Sequence, residues 1–341
     1  MPDIKIGLIG GTGLGQALTE SVSADAVRRH EVETPFGPPS DAILETTWAG
    51  VPVFILSRHG AGHLHNPSRV PFRANLFALK QLGVTHILAS GAVGSLREEF
   101  RPRDLVVPDQ IIDKTFRRAG TYFDKAAVHV EFAEPFCPVL RGVLLEAGSG
   151  VRVQGSGNAA VAGGSDPEPS ALNPEPFAVH DRGCYVCMEG PAFSTRAESL
   201  MHRLWGGDLI GMTAMPEAKL AKEAEIAYAL VALVTDYDCW RNKPQRVIPT
   251  DAPGASVPDH AKDPHELLTE ILGHLKVATA NAVSLIKRAV EIIAADPGRV
   301  ASCPAHRALE LAIWSDKSRI DPAEVQRLAP LWMKYWGTGA Q

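Results

Sequence analysis

Short runs of apolar residues recur along the chain at the length of buried strands, and segments between them repeat apolar residues at helical spacing. Strands without a polar side are typical of a sheet that is covered on both faces. The pattern therefore predicts an α/β fold with a mixed central β-sheet flanked by helices. The strand-like runs are IKIGLI, VPVFIL, THILAS, DLVVPDQII, GCYVCM and YALVALVT, and the helical segments are FRANLFALKQLG and MTAMPEAKLAKEAEI.

Two stretches interrupt this alternation, and we interpret both as loop insertions on one domain. The first, at about 155–182, is rich in Gly, Pro, Ala and Ser, and the second, at about 250–263, contains several Pro and Asp residues. Neither is flanked by a convincing domain boundary, so we predict a single domain over 1–296. Residues 297–341 are predicted to form a helical C-terminal extension that packs on the same domain or on another subunit.

The extension contains the segment DPAEVQRLAPLWMKYWG, which has the signals of a helix start. Asp321 can cap the helix, Pro322 suits its first turn, and Glu324 completes a capping box. The aromatic residues that follow, Trp332 among them, form an apolar stripe. Such a stripe more often packs against protein than binds a ligand, so packing is the interpretation we favour.

Composition and charge narrow the class of protein. The chain has 341 residues, 45% of them hydrophobic, which is enough to bury a core. Its 34 basic and 39 acidic residues give a net charge of −5 without a basic run, so neither nucleic acid nor a membrane surface is an expected partner. No apolar stretch approaches the ~20 residues of a membrane span, and no secretory signal is recognisable. With an odd count of five cysteines, we expect a cytoplasmic protein.

The stretch GLIGGTGLG, residues 7–15, follows the first predicted strand and suggests a phosphate-binding loop. The Rossmann fingerprint needs glycines at i, i+2 and i+5, and no frame of the stretch supplies all three. The P-loop pattern also fails, because Gly15 is followed by Gln16 and Ala17 instead of Lys and Ser or Thr. What remains is a tight glycine turn with the Thr12 hydroxyl at its tip, which is either structural or a cradle for a compact anion.

Three further strand ends carry residues that suit an anion. Arg58 and His59 follow VPVFIL, where the Arg fork could bind phosphate and His59 would add a donor, although an Arg paired with a carboxylate is the simpler alternative. Gly91 and Ala92 follow THILAS and let a ligand approach the backbone amides. Thr213 directly precedes a predicted helix. Together these loops predict one small anion surrounded by several elements.

Two sequence patterns invite a metal or redox interpretation, and we predict neither. His59, His63 and His65 are close in sequence, but no nearby Asp, Glu or Cys completes a ligand set. Cys184 and Cys187 form a CxxC on a predicted strand, where they point to opposite faces. We interpret these cysteines as small buried hydrophobes.

An acidic pair, Asp236 and Asp238, ends the last apolar strand in the sequence TDYDCW. Two carboxylates at a strand end can form a solvated turn, a metal site or an acid/base pair, and the residues alone leave these alternatives open. If substrate buries the strand end, desolvation and the neighbouring charge raise the pKa of one carboxylate. That carboxylate can then hold a proton at neutral pH.

Seven motifs in order connect these observations, over most of residues 4–240. With them the sequence resembles the trimeric purine nucleoside phosphorylases, and within these it is most similar to the 5′-methylthioadenosine phosphorylases. The motifs are IGLIGGTGL, SRHGAGH, SGAVGSLREEF, AEPFCP, EGPAFSTRAES, GMTAMPEAKLAKEAEIAYA and TDYDCW.

The resemblance implies a role for each matching residue. Asp236 and Asp238 would face the purine base, and Asp236 would be the general acid. An apolar pocket for the 5′ group would involve Val247 and Ile248. Where the family pattern has Thr, this chain has Gly91, so one phosphate hydroxyl is missing. The implied phosphate ligands are Thr12, Arg58, His59, the Gly91 and Ala92 backbone and Thr213, and the implied nucleoside contacts are Phe193, Met212 and His129 of a neighbouring subunit.

The resemblance also implies an activity without a cofactor, since orthophosphate is a co-substrate. The expected reaction is phosphorolysis of 5′-methylthioadenosine to adenine and 5-methylthioribose 1-phosphate, by a homotrimer in purine and methionine salvage. The alternative is a phosphorylase that acts on adenosine or on 6-oxopurine nucleosides. The 6-oxopurine relatives carry Asn in place of Asp236, so the Asp favours aminopurines. Arg58, His59, Thr213 and Asp236 are all present, which argues against a binding protein that has lost catalysis.

Overall fold

The structure, a computed structural model, describes residues 4–11, 17–18, 27–149, 177–241 and 264–336, the first four residues of the last range by their backbone alone. These residues form a mixed sheet with helices on both faces, as the apolar pattern predicts. None of the helices among them is long and apolar enough to cross a membrane.

The strands and helices are numbered in chain order. The strands are β1 (Ile6–Gly10), β2 (Arg28–His30), β3 (Ile43–Trp48), β4 (Val51–Ser57), β5 (His86–Ser95), β6 (Leu105–Val106), β7 (Gln110–Lys114), β8 (Val179–His180), β9 (Cys184–Met188), β10 (Leu209–Gly211) and β11 (Ala227–Asp236). The helices are α1 (Phe72–Gln81), α2 (Pro138–Ser149), α3 (Arg196–Leu204), α4 (Ala214–Glu223), α5 (Pro264–Ala295), α6 (Pro297–Ala301), α7 (Pro322–Arg327) and α8 (Ala329–Trp332), and short 3₁₀ turns lie at Ala61–His63, Pro304–Arg307, Lys317–Arg319 and Met333–Tyr335.

The centre of the sheet is parallel. Strands β4, β1, β5 and β11 run in one direction, with Gly10 of β1 opposite Ser57 of β4 and Asp236 of β11 opposite Gly94 of β5. The sheet order is β2-β3-β4-β1-β5-β10-β9-β7, and β11 also pairs with β5 and leads to β6 and β8. Because the carboxyl ends of these parallel strands meet at one edge, their loops converge on a single region.

Strand β11 shows why the centre of the sheet is apolar on both sides. Its residues from Ala227 to Val234 are all buried. Odd-numbered side chains such as Val231 pack with α2 and α5, and even-numbered ones such as Leu230 pack with α1 and α4. Alanines such as Ala282 on the buried face of α5 let the helix backbone approach the sheet closely.

The C-terminal extension packs onto the body of the domain. Trp332 is fully buried, and its ring centroid lies 4.9 Å from that of Phe123. The Glu225 carboxylate accepts hydrogen bonds from the Leu309 backbone N–H at 3.0 Å and from the Tyr335 hydroxyl. The aromatic stripe is therefore a packing surface, as the sequence favours.

The segment with the signals of a helix start forms two short helices, because Leu328 adopts non-helical angles between α7 and α8. Asp321 does cap the first turn, accepting from the Ala323 N–H at 2.8 Å. Glu324 does not complete the capping box, because its carboxylate is held by the Arg327 guanidinium at 2.7 Å.

The buried indole in the extension gives a test of whether residues beyond 297 belong to the folded domain. We expect Trp332→Ala to lower the free energy of unfolding by about 3–5 kcal/mol, the usual cost of emptying a buried aromatic site. The matched control is Phe116→Ala, whose side chain is 77% exposed and which should change stability by less than about 1 kcal/mol. Urea unfolding measures both, and equal effects would contradict the packing described for the extension.

Candidate functional site

The carboxyl ends of the central strands open into a cleft of about 900 Å³. Most of the residues that the sequence analysis proposed come together here, although they lie far apart in the chain. Convergence of parallel strand ends explains why residues after different strands share one cleft. The proposed residues that line it are Arg58, His59, Gly91, Ala92, Phe193, Met212, Thr213, Asp236 and Asp238.

Four of the proposed residues are not in this group. His129 is exposed, with its ring centroid 4.6 Å from that of Trp314, and it does not line the cleft of its own chain. Thr12, Val247 and Ile248 lie outside the described residues. Their roles stay predictions.

Arg58 is fully buried at the floor of the cleft, and its guanidinium is fixed by three hydrogen bonds. Nε and one terminal nitrogen each donate to a Glu217 carboxylate oxygen at 2.7 Å, and the other terminal nitrogen donates to the Ser90 carbonyl at 2.7 Å. The Tyr228 hydroxyl also donates to Glu217, at 2.8 Å. Burial acts to lower the pKa of Arg58, but the Glu217 carboxylate outweighs it and the pKa is raised.

This geometry changes the role expected of Arg58. The parallel N–H pair that the sequence analysis offered to an anion is occupied by Glu217. A guanidinium has five N–H groups, so one remains on each terminal nitrogen for a ligand. Glu217 was not proposed from the sequence, where it looked like an ordinary acidic residue in a first helical turn. The sequence feature that could have indicated a partner such as Glu217 is the position of Arg58 at a strand end, because an Arg buried there needs a carboxylate as counter-ion.

Two glycines allow the backbone to approach this cradle. A Cβ atom on Gly11 would lie 3.0 Å from an Arg58 terminal nitrogen and 3.1 Å from the Ser90 carbonyl oxygen. A Cβ atom on Gly91 would lie 3.2 Å from the Thr213 hydroxyl oxygen. Glycine at these positions therefore keeps the donors of the cleft uncrowded.

His59 is held as a neutral imidazole. Its Nδ1 lies 2.7 Å from the His65 carbonyl oxygen, so Nδ1 carries the proton, and its ring stacks on His63 at 4.2 Å. Burial, followed by the charge of Arg58, lowers the pKa of His59 to about 4. Nε2 is then an acceptor, whereas the sequence analysis expected a donor. His59 can receive a hydrogen bond from a protonated phosphate oxygen, or donate only after gaining a proton itself.

The two proposed nucleoside contacts, Phe193 and Met212, line the cleft in different ways. The Phe193 side chain is 85% exposed. Such exposure is expected of a ring that covers a bound ligand. The backbone at Met212 is held by Arg118, whose side chain is buried. The Arg118 guanidinium donates at 2.6 Å to the carbonyls of Met212 and Met215. It also donates at 3.2 Å to the Glu189 carboxylate. Arg118 is a positioning residue that no sequence motif indicated.

The acidic pair lies partly buried at the end of β11. One Asp236 oxygen accepts from the Asp238 N–H and the other from the Thr235 hydroxyl, both at 2.7 Å. Oδ2 of Asp238 is buried and has no hydrogen-bond partner among the described residues. Burial raises the pKa of Asp236 although those two hydrogen bonds oppose the shift. Burial raises the pKa of Asp238, the Ser199 hydroxyl opposes this shift, and the charge of Asp236 adds to it. Both carboxylates therefore hold a proton more readily than ordinary Asp does.

Helix α5 provides an apolar wall that the sequence analysis did not assign to the site. Leu268, Ile271, Leu272 and Leu275 line the cleft from this helix, and Leu268 and Leu272 are more than half exposed. His274 lies among them and donates from Nδ1 to the Thr235 carbonyl beside the acidic pair, at 2.9 Å. The i, i+3, i+4, i+7 spacing of the four apolar residues was the available signal.

The sequence model of the phosphorylase superfamily matches residues 5–273, and the chain belongs to that superfamily. The S-methyl-5′-thioadenosine phosphorylase of Synechocystis is 42% identical over 337 residues, which are 98% of this chain and 89% of the relative. The enzyme of the same name from Thermosynechococcus vestitus is 43% identical over 334 residues, 97% of this chain and 99% of the relative. Within the superfamily, the chain is a member of the methylthioadenosine phosphorylase family.

Solved structures confirm the nucleoside-phosphorylase fold. A methylthioadenosine phosphorylase from an antarctic soil metagenomic library superposes with a TM-score of 0.76 at 39% identity, covering 97% of this chain and 99% of its own. A variant of the adenosine/methylthioadenosine phosphorylase from Schistosoma mansoni, in complex with methylthioadenosine, has a TM-score of 0.71 at 33% identity, covering 91% of this chain and 99% of its own.

Proposed function

We propose that the protein catalyses phosphorolysis of 5′-methylthioadenosine by orthophosphate, with adenine and 5-methylthioribose 1-phosphate as products and no cofactor. The observation that carries the proposal is that one cleft contains a fixed cation, an acidic pair and an apolar wall. These three features suit phosphate, an aminopurine and a thioether in turn. The names of the relatives support the same activity.

Phosphate would be held at the floor of the cleft. The two remaining N–H groups of Arg58 supply charge-assisted donors. Thr213 directly precedes α4, and its hydroxyl lies beside Gly91, so this hydroxyl and the Gly91 and Ala92 backbone would add donors without adding charge. Thr12 would complete the cradle. Phosphate attacks the anomeric carbon itself, so the protein contributes position and electrostatic stabilisation and no nucleophile.

The acidic pair would recognise and protonate the leaving base. Adenine presents the N7 acceptor beside the N6 donor, which one protonated and one ionised carboxylate match. A proton on Asp236, favoured by its raised pKa, passes to N7 as the glycosidic bond breaks. An ionised Asp238 accepts from N6 through the oxygen that is otherwise unpartnered. A 6-oxopurine would oppose its O6 to that carboxylate, which disfavours inosine and guanosine.

The wall from α5 would select the 5′ substituent. Leu268 and Leu272 present apolar surface to the cleft, and a thioether methyl group gains free energy there that a hydroxyl does not. Discrimination by an apolar pocket is modest, so adenosine is expected to be a slower substrate and not an excluded one.

An assay of base release tests the proposed reaction. The protein is incubated with methylthioadenosine, adenosine or inosine, with and without phosphate, and the free base is measured. We expect phosphate-dependent release of adenine, with kcat/KM for adenosine lower than for methylthioadenosine by roughly 10- to 100-fold. Release from inosine alone would overturn the proposal. Equal release without phosphate would identify water as the nucleophile.

The variant Asp236→Asn tests the general acid, because the amide keeps the shape of the side chain but has no carboxyl proton to donate. We expect kcat/KM for methylthioadenosine to fall by about 10²- to 10⁴-fold. In the parent protein activity should fall as pH rises through the pKa of Asp236, because Asp236 then loses the proton that it donates, and this alkaline limb should vanish in the variant. Activity of the parent should also fall at low pH, where Asp238 becomes protonated and no longer accepts from N6.

Two further variants make the acid test specific. Asp124→Asn is the matched control, because Asp124 pairs with Arg73 and does not line the cleft. Asp238→Asn removes the other carboxylate and should leave the alkaline limb in place. If the limb persists in Asp236→Asn and vanishes in Asp238→Asn, the general acid is Asp238.

We also infer a homotrimer in which His129 serves the cleft of a neighbouring subunit. The support is that His129 is exposed and absent from its own cleft, beside Leu311 and Trp314, which are 88% and 71% exposed. Sedimentation should give about three times the chain mass of 36.6 kDa. Co-refolding His129→Ala with Asp236→Asn chains should restore activity above that of either variant. A monomer, or no restoration, would contradict the inference.

A further inference from the structure

Two cysteines from distant parts of the chain meet in the interior. The sulfur atoms of Cys137 and Cys303 lie 3.1 Å apart, and both residues are buried. Cys137 directly precedes α2, and Cys303 lies in the C-terminal extension between α6 and the 3₁₀ turn Pro304–Arg307. Among the described residues, no other pair of sulfur atoms from two cysteines is within hydrogen-bonding distance.

The surroundings of Cys137 favour its thiolate. A hydrogen bond with the Cys303 thiol lowers the pKa of Cys137, and the backbone N–H groups of Val139 and Leu140 and the charge of Lys222 act in the same direction against burial. The pKa of Cys303 is raised in turn. The thiolate is the nucleophilic form of cysteine, so Cys137 is the reactive member of the pair.

Cys137 also borders a cavity. This second cavity, of about 160 Å³, is smaller than the cleft, and Glu134, Lys222 and Pro304 also line it. This space admits a molecule of the size of hydrogen peroxide. Cys303 does not line the cavity, but its sulfur is in contact with that of Cys137.

We propose that Cys137 and Cys303 are an oxidisable pair that forms a reversible disulfide between the body of the domain and the C-terminal extension, with a peroxide as oxidant. The Cys137 thiolate attacks a peroxide oxygen, the O–O bond breaks, and Cys137 sulfenic acid and hydroxide form. Hydroxide takes the Cys303 proton and leaves as water. The Cys303 thiolate attacks the Cys137 sulfur, the S–O bond breaks, and the leaving hydroxide is protonated by solvent to a second water.

A metal ion is the competing use of this cluster. Donor atoms of His86, Cys303 and His306 lie within 4.8 Å of one another. The two histidines are already satisfied, however. Nε2 of His86 lies 3.0 Å from the Val300 carbonyl oxygen and 3.3 Å from Nε2 of His306, whose Nδ1 lies 3.2 Å from a backbone carbonyl oxygen. With one proton on each ring, Nδ1 of His306 donates to that carbonyl, and the Nε2 proton of His86 is shared between the Val300 carbonyl and Nε2 of His306, so no cation is needed to explain these contacts.

Thiol counting and peptide mapping of the full-length protein test the proposal. Reduced protein is exposed to hydrogen peroxide, quenched, denatured and titrated. We expect the five cysteine thiols to fall to three, a non-reduced peptide joining residues 137 and 303, and full recovery with dithiothreitol. The disulfide restricts the unfolded chain, so the midpoint of thermal unfolding should rise by roughly 5 °C on oxidation.

Two variants distinguish oxidation of the Cys137–Cys303 pair from oxidation of other cysteines. Cys303→Ser should form no internal cross-link and show no rise in midpoint. Cys187→Ser removes a buried cysteine outside the pair and should retain both effects. The proposal is overturned by a cross-link between other cysteines or between chains, or by unchanged thiols. It is equally overturned by one zinc ion per purified chain that Cys303→Ser loses.

Discussion

The buried charge of Arg58 is the constraint on which the rest of the site depends. A guanidinium removed from water is stable only when a carboxylate and further acceptors compensate its lost hydration. Glu217 and the Ser90 carbonyl provide that compensation. One side chain on the loop after β4 is thereby joined to α4 and β5, and Tyr228 of β11 joins through Glu217. This one network therefore connects three central strands with the helix that follows Thr213.

The same network determines how an anion can be bound. Arg58 is paired with Glu217, so its guanidinium would act on an anion through its two remaining, fixed N–H groups more than through an unbalanced charge. His59 is neutral, since burial and the charge of Arg58 lower its pKa. Attraction for the proposed phosphate would then come largely from oriented donors: the remaining Arg58 N–H groups, the Thr213 hydroxyl and the glycine-rich backbone. Such donors are fixed before the ligand arrives, which is the condition for electrostatic stabilisation of a transition state without reorganisation.

The sequence predicts the strands and the strand-end residues such as Arg58 because both depend on local pattern, whereas Phe193 and Met212 were predicted only from the family resemblance. Buried strands are continuous apolar runs, and the residues that follow parallel strands reach one edge wherever the sheet places them. The partners of those residues depend on tertiary packing. Glu217 is 159 positions from Arg58, and nothing in its own helical turn distinguishes it from a solvated acid. Arg118 is equally undistinguished, and the break at Leu328 interrupts a segment whose capping signals favour a helix.

Helix α5 connects two parts of the cleft that the sequence presents as separate. Its apolar residues face the region assigned to the 5′ substituent, and its His274 is hydrogen bonded to the Thr235 carbonyl, one residue before Asp236. The pKa of Asp236 is raised by burial, and water excluded by a bound apolar group would increase that burial further. In the proposed reaction, recognition of the 5′ group and protonation of the base would therefore depend on the same exclusion of water. A substrate with a polar 5′ group would bring water to this region and weaken both.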